Sequence, residues 1–149
     1  MIKKFIDDNK DNILNNIYEL IKIPSISDES SAENGMPFGR NCSDALNYIL
    51  NLADSLGFKT KNVDGYCGYI GFGEGEELFG IIGHLDVVPA GDGWTKCAPF
   101  EPVIEDNKLY GRGAIDDKGP VIASLYAMKY VMDTMNVNKR VRLILGLNE

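Results

Sequence analysis

The chain has 149 residues, of which 44% are hydrophobic, and its formal net charge is −7 because 22 acidic residues oppose 15 basic ones. This length predicts one domain with a core of its own. No run of basic residues offsets the acidic surplus, so the composition excludes nucleic acid as the expected partner.

The cysteines Cys42, Cys67 and Cys97 are odd in number and contain no Cys-x-x-Cys pair. This usage disfavours a disulfide framework and predicts a reducing, cytoplasmic location. The longest apolar run, residues 77–91, is interrupted by a histidine and an aspartate, and the N-terminal stretch lacks the apolar centre of a signal peptide. The sequence therefore predicts neither a membrane partner nor a leader.

The first part of the chain is predicted to be helical. Apolar residues at helical spacing predict a helix over residues 2–22, and Pro24 ends it because proline disfavours helical geometry in the residue before it. A polar loop, residues 25–39, follows and is expected to be solvated. A second helix is predicted over residues 40–56, with Gly57 as its C-terminal cap.

Extended segments dominate the remainder. Residues 58–64 and 66–73 are predicted to be neighbouring strands. Further extended segments are the apolar run 77–84, a hairpin that turns at Asp106–Asn107, and a final strand over residues 141–149. The run 77–84 is expected to be a buried strand. A third helix is predicted over residues 119–134, with Pro120 in its first turn. This order predicts an α/β fold with a mixed sheet flanked by helices.

His84 is the only histidine and lies at the end of an apolar strand, in the stretch GHLDVVPAGDGW. Residues i and i+2 of a strand point to the same side, so Asp86 can face the imidazole. Imidazole is a common metal ligand, and a carboxylate on its far nitrogen fixes the tautomer. The alternative interpretation is an ordinary packed strand followed by a turn.

Three further acidic residues lie at the ends of predicted helices or strands. Asp116 and Asp117 lie between a glycine-rich turn and the third helix, where an aspartate can also serve only as a helix cap. Glu149 follows the final strand, at the end of a sheet where α/β proteins carry their sites. A carboxylate there can act as a general base, and the alternative is a solvated chain end.

The order and spacing of these motifs resemble a known family. GHLDVVPAGDGW, PFEPVIEDNKLYGRGAIDDKGP and LNE follow one another, with Asp116 at 32 residues after His84 and Glu149 at 33 residues after Asp116. The pattern resembles the cocatalytic di-zinc metallopeptidases that include aminoacylase, carboxypeptidase G and succinyl-diaminopimelate desuccinylase. It is most similar to the bacterial dipeptidase V group, also called Xaa-His or carnosinase-like dipeptidases.

The resemblance implies a role for each matching residue. His84 is expected to ligate one zinc ion, Asp86 to orient the His84 ring, and Asp116 to bridge two zinc ions, with a cis peptide bond after it. Glu149 is expected to be the general base. Zinc is the expected metal, with cobalt or manganese as possible substitutes, and small peptides are the expected substrates.

The resemblance also implies a domain organisation. Residues 1–149 match the N-terminal part of the catalytic domain, and the lid domain, the C-terminal catalytic part and the remaining ligands are expected beyond Glu149. We therefore expect this chain alone to be inactive or nearly so as a dipeptidase. Two alternatives stay open: a deacylase of N-acyl amino acids in the same family, and a non-catalytic binding domain with a degenerate site.

Overall fold

The computed structural model describes residues 1–149 and contains three α-helices, a four-stranded sheet and a separate two-stranded hairpin. The helices are α1 (Ile2–Ile21), α2 (Arg40–Ser55) and α3 (Lys118–Thr134). Their bounds lie within two residues of those predicted. Gly57 follows α2 with a φ of +92°, as expected for a helix-terminating glycine. None of the helices combines the length and apolar character of a membrane span.

The strands fall into two sheets. They are β1 (Lys59–Val63), β2 (Cys67–Phe72), β3 (Leu78–His84), β4 (Val103–Glu105), β5 (Lys108–Tyr110) and β6 (Arg140–Gly146). The larger sheet has the order β1-β2-β6-β3, in which β6 is antiparallel to β2 and parallel to β3. The mixed α/β fold is therefore confirmed. Asp106 and Asn107 turn the β4–β5 hairpin with φ values of 51° and 59°.

The parallel pairing of β3 and β6 decides where a site can form. The chain leaves β3, passes through the hairpin and α3, and returns as β6, so both strands end at the same edge of the sheet. His84 is the last residue of β3 and pairs with Gly146, the last residue of β6. The strand predicted over residues 141–149 thus stops at Gly146, which leaves Glu149 free to turn towards His84.

The hydrophobic core lies on one face of this sheet. Ile70 and Leu143 are paired across β2 and β6 and are almost fully buried beneath α2 and α3. The close approach of the helices requires glycine in the sheet. A Cβ on Gly68 would lie 2.6 Å from the Leu46 side chain of α2, and one on Gly83 would lie 2.9 Å from the Val121 side chain of α3.

The expectation of a buried β3 was wrong. Leu78, Phe79 and Ile82 are 47%, 57% and 83% exposed. The reason is topological, because β3 is an edge strand and the helices pack against only one face of the sheet. An apolar run predicts a strand but carries no information on which of its faces is covered.

A polar contact joins the three helices. The Asn16 side chain of α1 donates a hydrogen bond to the hydroxyl of Tyr126 in α3 at 3.0 Å and accepts one from the hydroxyl of Tyr48 in α2 at 2.8 Å. One amide group therefore satisfies the hydroxyls of buried Tyr126 and partly buried Tyr48, which belong to different helices.

Candidate metal centre

Three separate segments bring acidic groups to the single imidazole. His84 Nε2 lies 3.0 Å from Asp116 Oδ1, which precedes α3, and 3.3 Å from Glu149 Oε2, which follows β6. The His84 side chain is 18% exposed, while those of Asp116 and Glu149 are 74% and 43% exposed. The imidazole is thus held at the back of the site, and the two carboxylates face the solvent-accessible side.

Asp86 lies behind the ring and is buried. His84 Nδ1 is 3.0 Å from the Asp86 backbone oxygen and 3.5 Å from its carboxylate Oδ1. The sequence predicted that the carboxylate would orient the ring, and here the backbone oxygen of the same residue is the nearer acceptor. Asp86 Oδ2 accepts a hydrogen bond from the Glu149 amide at 3.0 Å, so Asp86 ties the segment after β3 to the segment after β6.

Asp117 has a structural function that sequence reasoning missed. It occupies the N-cap position of α3, but its side chain makes no capping hydrogen bond. Instead its Oδ2 accepts a hydrogen bond from the His84 amide at 3.2 Å. A Cβ on Gly83 would lie 2.8 Å from this oxygen, which accounts for glycine before His84. The Asp116–Asp117 peptide bond is cis, as the family resemblance implies.

Two further buried polar residues support the site. Ser25 Oγ donates to the Leu85 carbonyl at 2.6 Å, and the Val87 amide donates to the Ser25 carbonyl at 2.9 Å.

Lys118 is fully buried, and its Nζ donates to the Ile23 carbonyl at 2.7 Å. Burial lowers the pKa of Lys118 to about 8, although the nearby Cys42 and Asp86 oppose the shift. No sequence pattern identified these contacts, because each joins segments far apart in the chain.

The polar loop after α1 also reaches the site. Ser27 Oγ donates to the Asn148 side chain at 3.0 Å, and the Asn148 amide group donates to Glu29 Oε1 at 3.1 Å. These bonds hold the residue next to Glu149. The loop that the sequence predicted as solvated therefore remains largely exposed and contacts the residue before Glu149.

The electrostatic environment of His84 favours positive charge. Burial lowers the pKa of His84, but the hydrogen bond to Asp116, the contact with the Asp86 backbone and the charges of Glu149 and Asp86 outweigh it. The net pKa lies above the ordinary value for histidine. The same carboxylates would attract a metal cation to the ring.

The spacing of these donor atoms fits a bound metal ion, as a comparison with zinc geometry illustrates. Zinc–ligand distances of about 2.0–2.1 Å in a tetrahedral site place neighbouring ligand atoms about 3.3 Å apart. The separations of 3.0 and 3.3 Å around His84 Nε2 are close to this value. His84, Asp86 and Glu149 also present donor atoms within 4.8 Å of one another, and buried Asp86 Oδ1 has no hydrogen-bond partner.

The site opens into a cleft of about 510 Å³ whose walls include His84, Asp116, Glu149, Cys67 and Ile82. This volume lies in the range of small-molecule sites. A second cleft of about 570 Å³ lies beside it, between residues 90–97 and 109–115, where the Arg112 guanidinium stacks over Trp94 at 5.3 Å.

Comparison with known proteins confirms the resemblance. Residues 80–149 match the profile described as "Peptidase family M20/M25/M40". A Bacillus subtilis protein named "Putative dipeptidase YtjP" is 45% identical over 141 residues, which are 94% of this chain and 30% of that protein. The chain thus spans about a third of the length of the curated relatives it matches.

Solved structures share the fold. Human carnosine dipeptidase 1 superposes with a TM-score of 0.77 at 26% identity, covering 96% of this chain and 33% of that one. An M20 family metallo-carboxypeptidase from Sulfolobus solfataricus superposes with a TM-score of 0.71 at 30% identity, covering 90% of this chain and 30% of that one. Each superposition therefore covers at least 90% of this chain and about a third of the solved structure.

Proposed function

On the premise that residues 80–149 of this chain are a segment of peptidase family M20/M25/M40, we propose that the protein is a metal-dependent dipeptidase and that residues 1–149 supply part of its metal centre. The observation that carries the proposal is the approach of Asp116 and Glu149, from separate segments, to within 3.3 Å of the only imidazole. The names of the similar proteins, a dipeptidase of Bacillus subtilis and human carnosine dipeptidase 1, support a small peptide as substrate.

His84 and Asp116 are the residues that would hold the metal at this site. Zinc is the proposed metal, because imidazole and carboxylate donors suit it, and cobalt or manganese can substitute. Bound zinc supplies Lewis-acid chemistry, which lowers the pKa of water and polarises a carbonyl group. Asp86 contributes indirectly, since its backbone oxygen and carboxylate fix the ring orientation.

Glu149 is the proposed general base. Its carboxylate is partly exposed to the cleft, so it can accept a proton from the water that attacks the amide carbon. When the carbon–nitrogen bond breaks, Glu149 returns this proton to the leaving amine. The bond from the Glu149 amide to Asp86 holds the backbone in place, and only the side chain has to move.

The 149-residue chain by itself is proposed to hydrolyse dipeptides at most very slowly. It contains a single histidine, and a pair of zinc sites in a catalytic centre needs more nitrogen and carboxylate ligands than His84, Asp116 and Glu149 provide. Lasting metal-dependent turnover by this chain, abolished by His84→Ala, would contradict this part of the proposal.

The test compares the full product of the gene with the 149-residue chain on unblocked dipeptides and on N-acyl amino acids, after chelation and re-addition of zinc. Glu149→Gln should lower kcat at least about 100-fold, since proton transfer by a placed base contributes this much, while metal content stays unchanged. His84→Ala should lose metal and activity together. Asp92→Asn, at an exposed position outside the metal site, is the matched control. Wild-type rates in both site variants would refute the proposal, and preference for N-acyl amino acids would favour a deacylase.

A further inference from the structure

Lys118 is a fully buried lysine that forms no ion pair. Its Nζ donates to the Ile23 carbonyl at 2.7 Å, which joins two residues that are 95 positions apart. Burying an ammonium group without a carboxylate partner is energetically costly, and an apolar side chain of similar volume would avoid that cost. The proposed peptidase mechanism makes no use of this charge, so its burial needs another physical reason.

The Ile23 carbonyl belongs to the segment that follows α1, residues 23–29, here named the strap. Ser25 of the strap is fully buried and bonds in two ways to the chain that leaves β3. Its hydroxyl donates to the Leu85 carbonyl at 2.6 Å, and its own carbonyl accepts from the Val87 amide at 2.9 Å. The strap therefore lies directly against the residues that follow His84.

The other end of the strap bonds to the chain that leaves β6. Ser27 Oγ donates to the Asn148 side chain at 3.0 Å, and the side-chain amide of Asn148 donates to Glu29 Oε1 at 3.1 Å. Asn148 immediately precedes Glu149. The strap therefore fixes the backbone next to the proposed general base.

Lys118 connects the strap to a third part of the chain. It is the first residue of α3 and follows Asp116 by two positions. Pro24 stiffens the connection, because proline fixes its own φ and restricts the residue before it to extended geometry. One seven-residue segment thus contacts all three parts of the chain that carry His84, Asp116 and Glu149.

These three parts need a restraint because their carboxylates repel one another. Asp116 and Glu149 approach the same imidazole nitrogen to 3.0 and 3.3 Å, and two like charges at such distances oppose this arrangement when no cation lies between them. The Lys118 ammonium acts in the opposite sense, since it attracts the buried Asp86 carboxylate and bonds to the strap.

We propose that Lys118 is a positioning residue, which acts through the strap to hold the segments of His84, Asp116 and Glu149 at the spacing that a metal ion requires. This inference rests on the proposed function. Lys118 contacts the strap and not the donor atoms, and outer contacts of this kind change metal affinity by about 10–100-fold. Packing alone would require only the volume of the side chain, whereas positioning requires its charge and its hydrogen bond.

The test measures the zinc Kd by calorimetric titration and the absorption spectrum of the cobalt-loaded 149-residue chain. Lys118→Met keeps a similar volume and removes the charge and the hydrogen bond, so Kd should rise about tenfold or more and the cobalt bands should shift. Lys129→Met removes the same charge from a later turn of α3 and is the matched control. A Kd and a cobalt spectrum equal to those of the parent chain in Lys118→Met would overturn the proposal.

Ser27→Ala tests the strap separately, in case Lys118→Met does not fold. It removes the bond to Asn148 from a partly exposed side chain, and Ser30→Ala, which removes a bond to Asp28 within the same loop, is its control. In the metal-free chain, NMR hydrogen exchange at the Glu149 amide should be about fivefold faster in Ser27→Ala, the factor that one hydrogen bond typically contributes. Equal exchange rates in the two serine variants would contradict the strap.

The parent chain separates a failure of this inference from a failure of the proposed function. A parent chain that binds no zinc would refute the metal centre and the positioning role together. Zinc binding by the parent chain that is unchanged in Lys118→Met and Ser27→Ala would leave the metal centre intact and would overturn the positioning role alone.

Discussion

The surroundings of His84 give a separate physical reason for three of the four residues from Gly83 to Asp86. Gly83 leaves room for the Asp117 carboxylate, His84 presents its ring to Asp116 and Glu149, and Asp86 fixes that ring from behind. The sequence identified His84 and Asp86 because their spacing on a strand is regular. It did not identify Asp117 as a partner, since that contact exists only after the chain returns from 33 residues away.

The crowding at Gly83 predicts the effect of a single methyl group. Gly83→Ala places a Cβ 2.8 Å from Asp117 Oδ2 and 2.9 Å from Val121, so either the loop or α3 has to shift. We expect a loss of about 1–3 kcal/mol in the free energy of unfolding and weaker metal binding. Gly80→Ala on the same strand meets no neighbour and is the control. Urea unfolding that shows equal stability for the two variants would contradict this explanation.

The three cysteines should differ in reactivity. Cys42 is completely buried, and burial, helped by the charge of Asp86, raises its pKa to about 11. At pH 8 only about one Cys42 thiol in a thousand is then ionised, so iodoacetamide should label the half-exposed Cys67 and Cys97 and leave Cys42 unmodified. Mass spectrometry of the native and the urea-unfolded chain measures the difference. Prompt modification of Cys42 in the native chain would contradict its burial.

At the scale of elements, the sequence predicted the helices and the hairpin more completely than the environment of the strands. Helical spacing, Pro24 and Gly57 define α1 and α2, because these signals are local. The exposure of β3 is not local, since it depends on which elements pack on each face of the sheet. For the same reason the sequence did not predict that β6 ends at Gly146.

Replacing Asn16, whose side chain joins the three helices, should lower the stability of the fold. Asn16→Ala leaves the hydroxyls of Tyr48 and Tyr126 without their partner, which should cost about 1–3 kcal/mol in the free energy of unfolding. Asn15→Ala changes an exposed residue of the same helix that makes no side-chain hydrogen bond, so it controls for helix propensity. Chemical denaturation of both variants provides the measurement. Equal midpoints would show that the bridge contributes nothing.

At the scale of the whole molecule, the net charge of −7 is unevenly distributed, and two surface regions carry opposite charge. Acidic groups gather at the carboxyl ends of β3 and β6, and the cations Lys59, Lys61, Arg140 and Arg142 gather on the sheet face opposite the helices. The sequence analysis found no basic cluster, because Lys59 and Arg142 are 83 positions apart. The family motifs, by contrast, were visible because each is a short contiguous stretch.

Metal should stabilise the entire chain, because a ligand that binds only the folded state shifts the unfolding equilibrium. At a free zinc concentration 1,000 times Kd, the gain is about 4 kcal/mol, which corresponds to a Tm increase of roughly 8–16 °C for a chain of this size. Scanning calorimetry with zinc and after chelation measures the shift. His84→Ala should remove most of it, and an equal shift in that variant would place the bound metal elsewhere.

The most direct test of the central claim is calorimetric titration of zinc into the metal-free 149-residue chain and into His84→Ala and Asp116→Asn. The account predicts saturable binding by the parent chain, loss of that binding in His84→Ala and a clear weakening in Asp116→Asn. Lys118 and the other buried supports remain unchanged in these variants. Binding of equal affinity in all three proteins would contradict the assignment of this site as a metal centre.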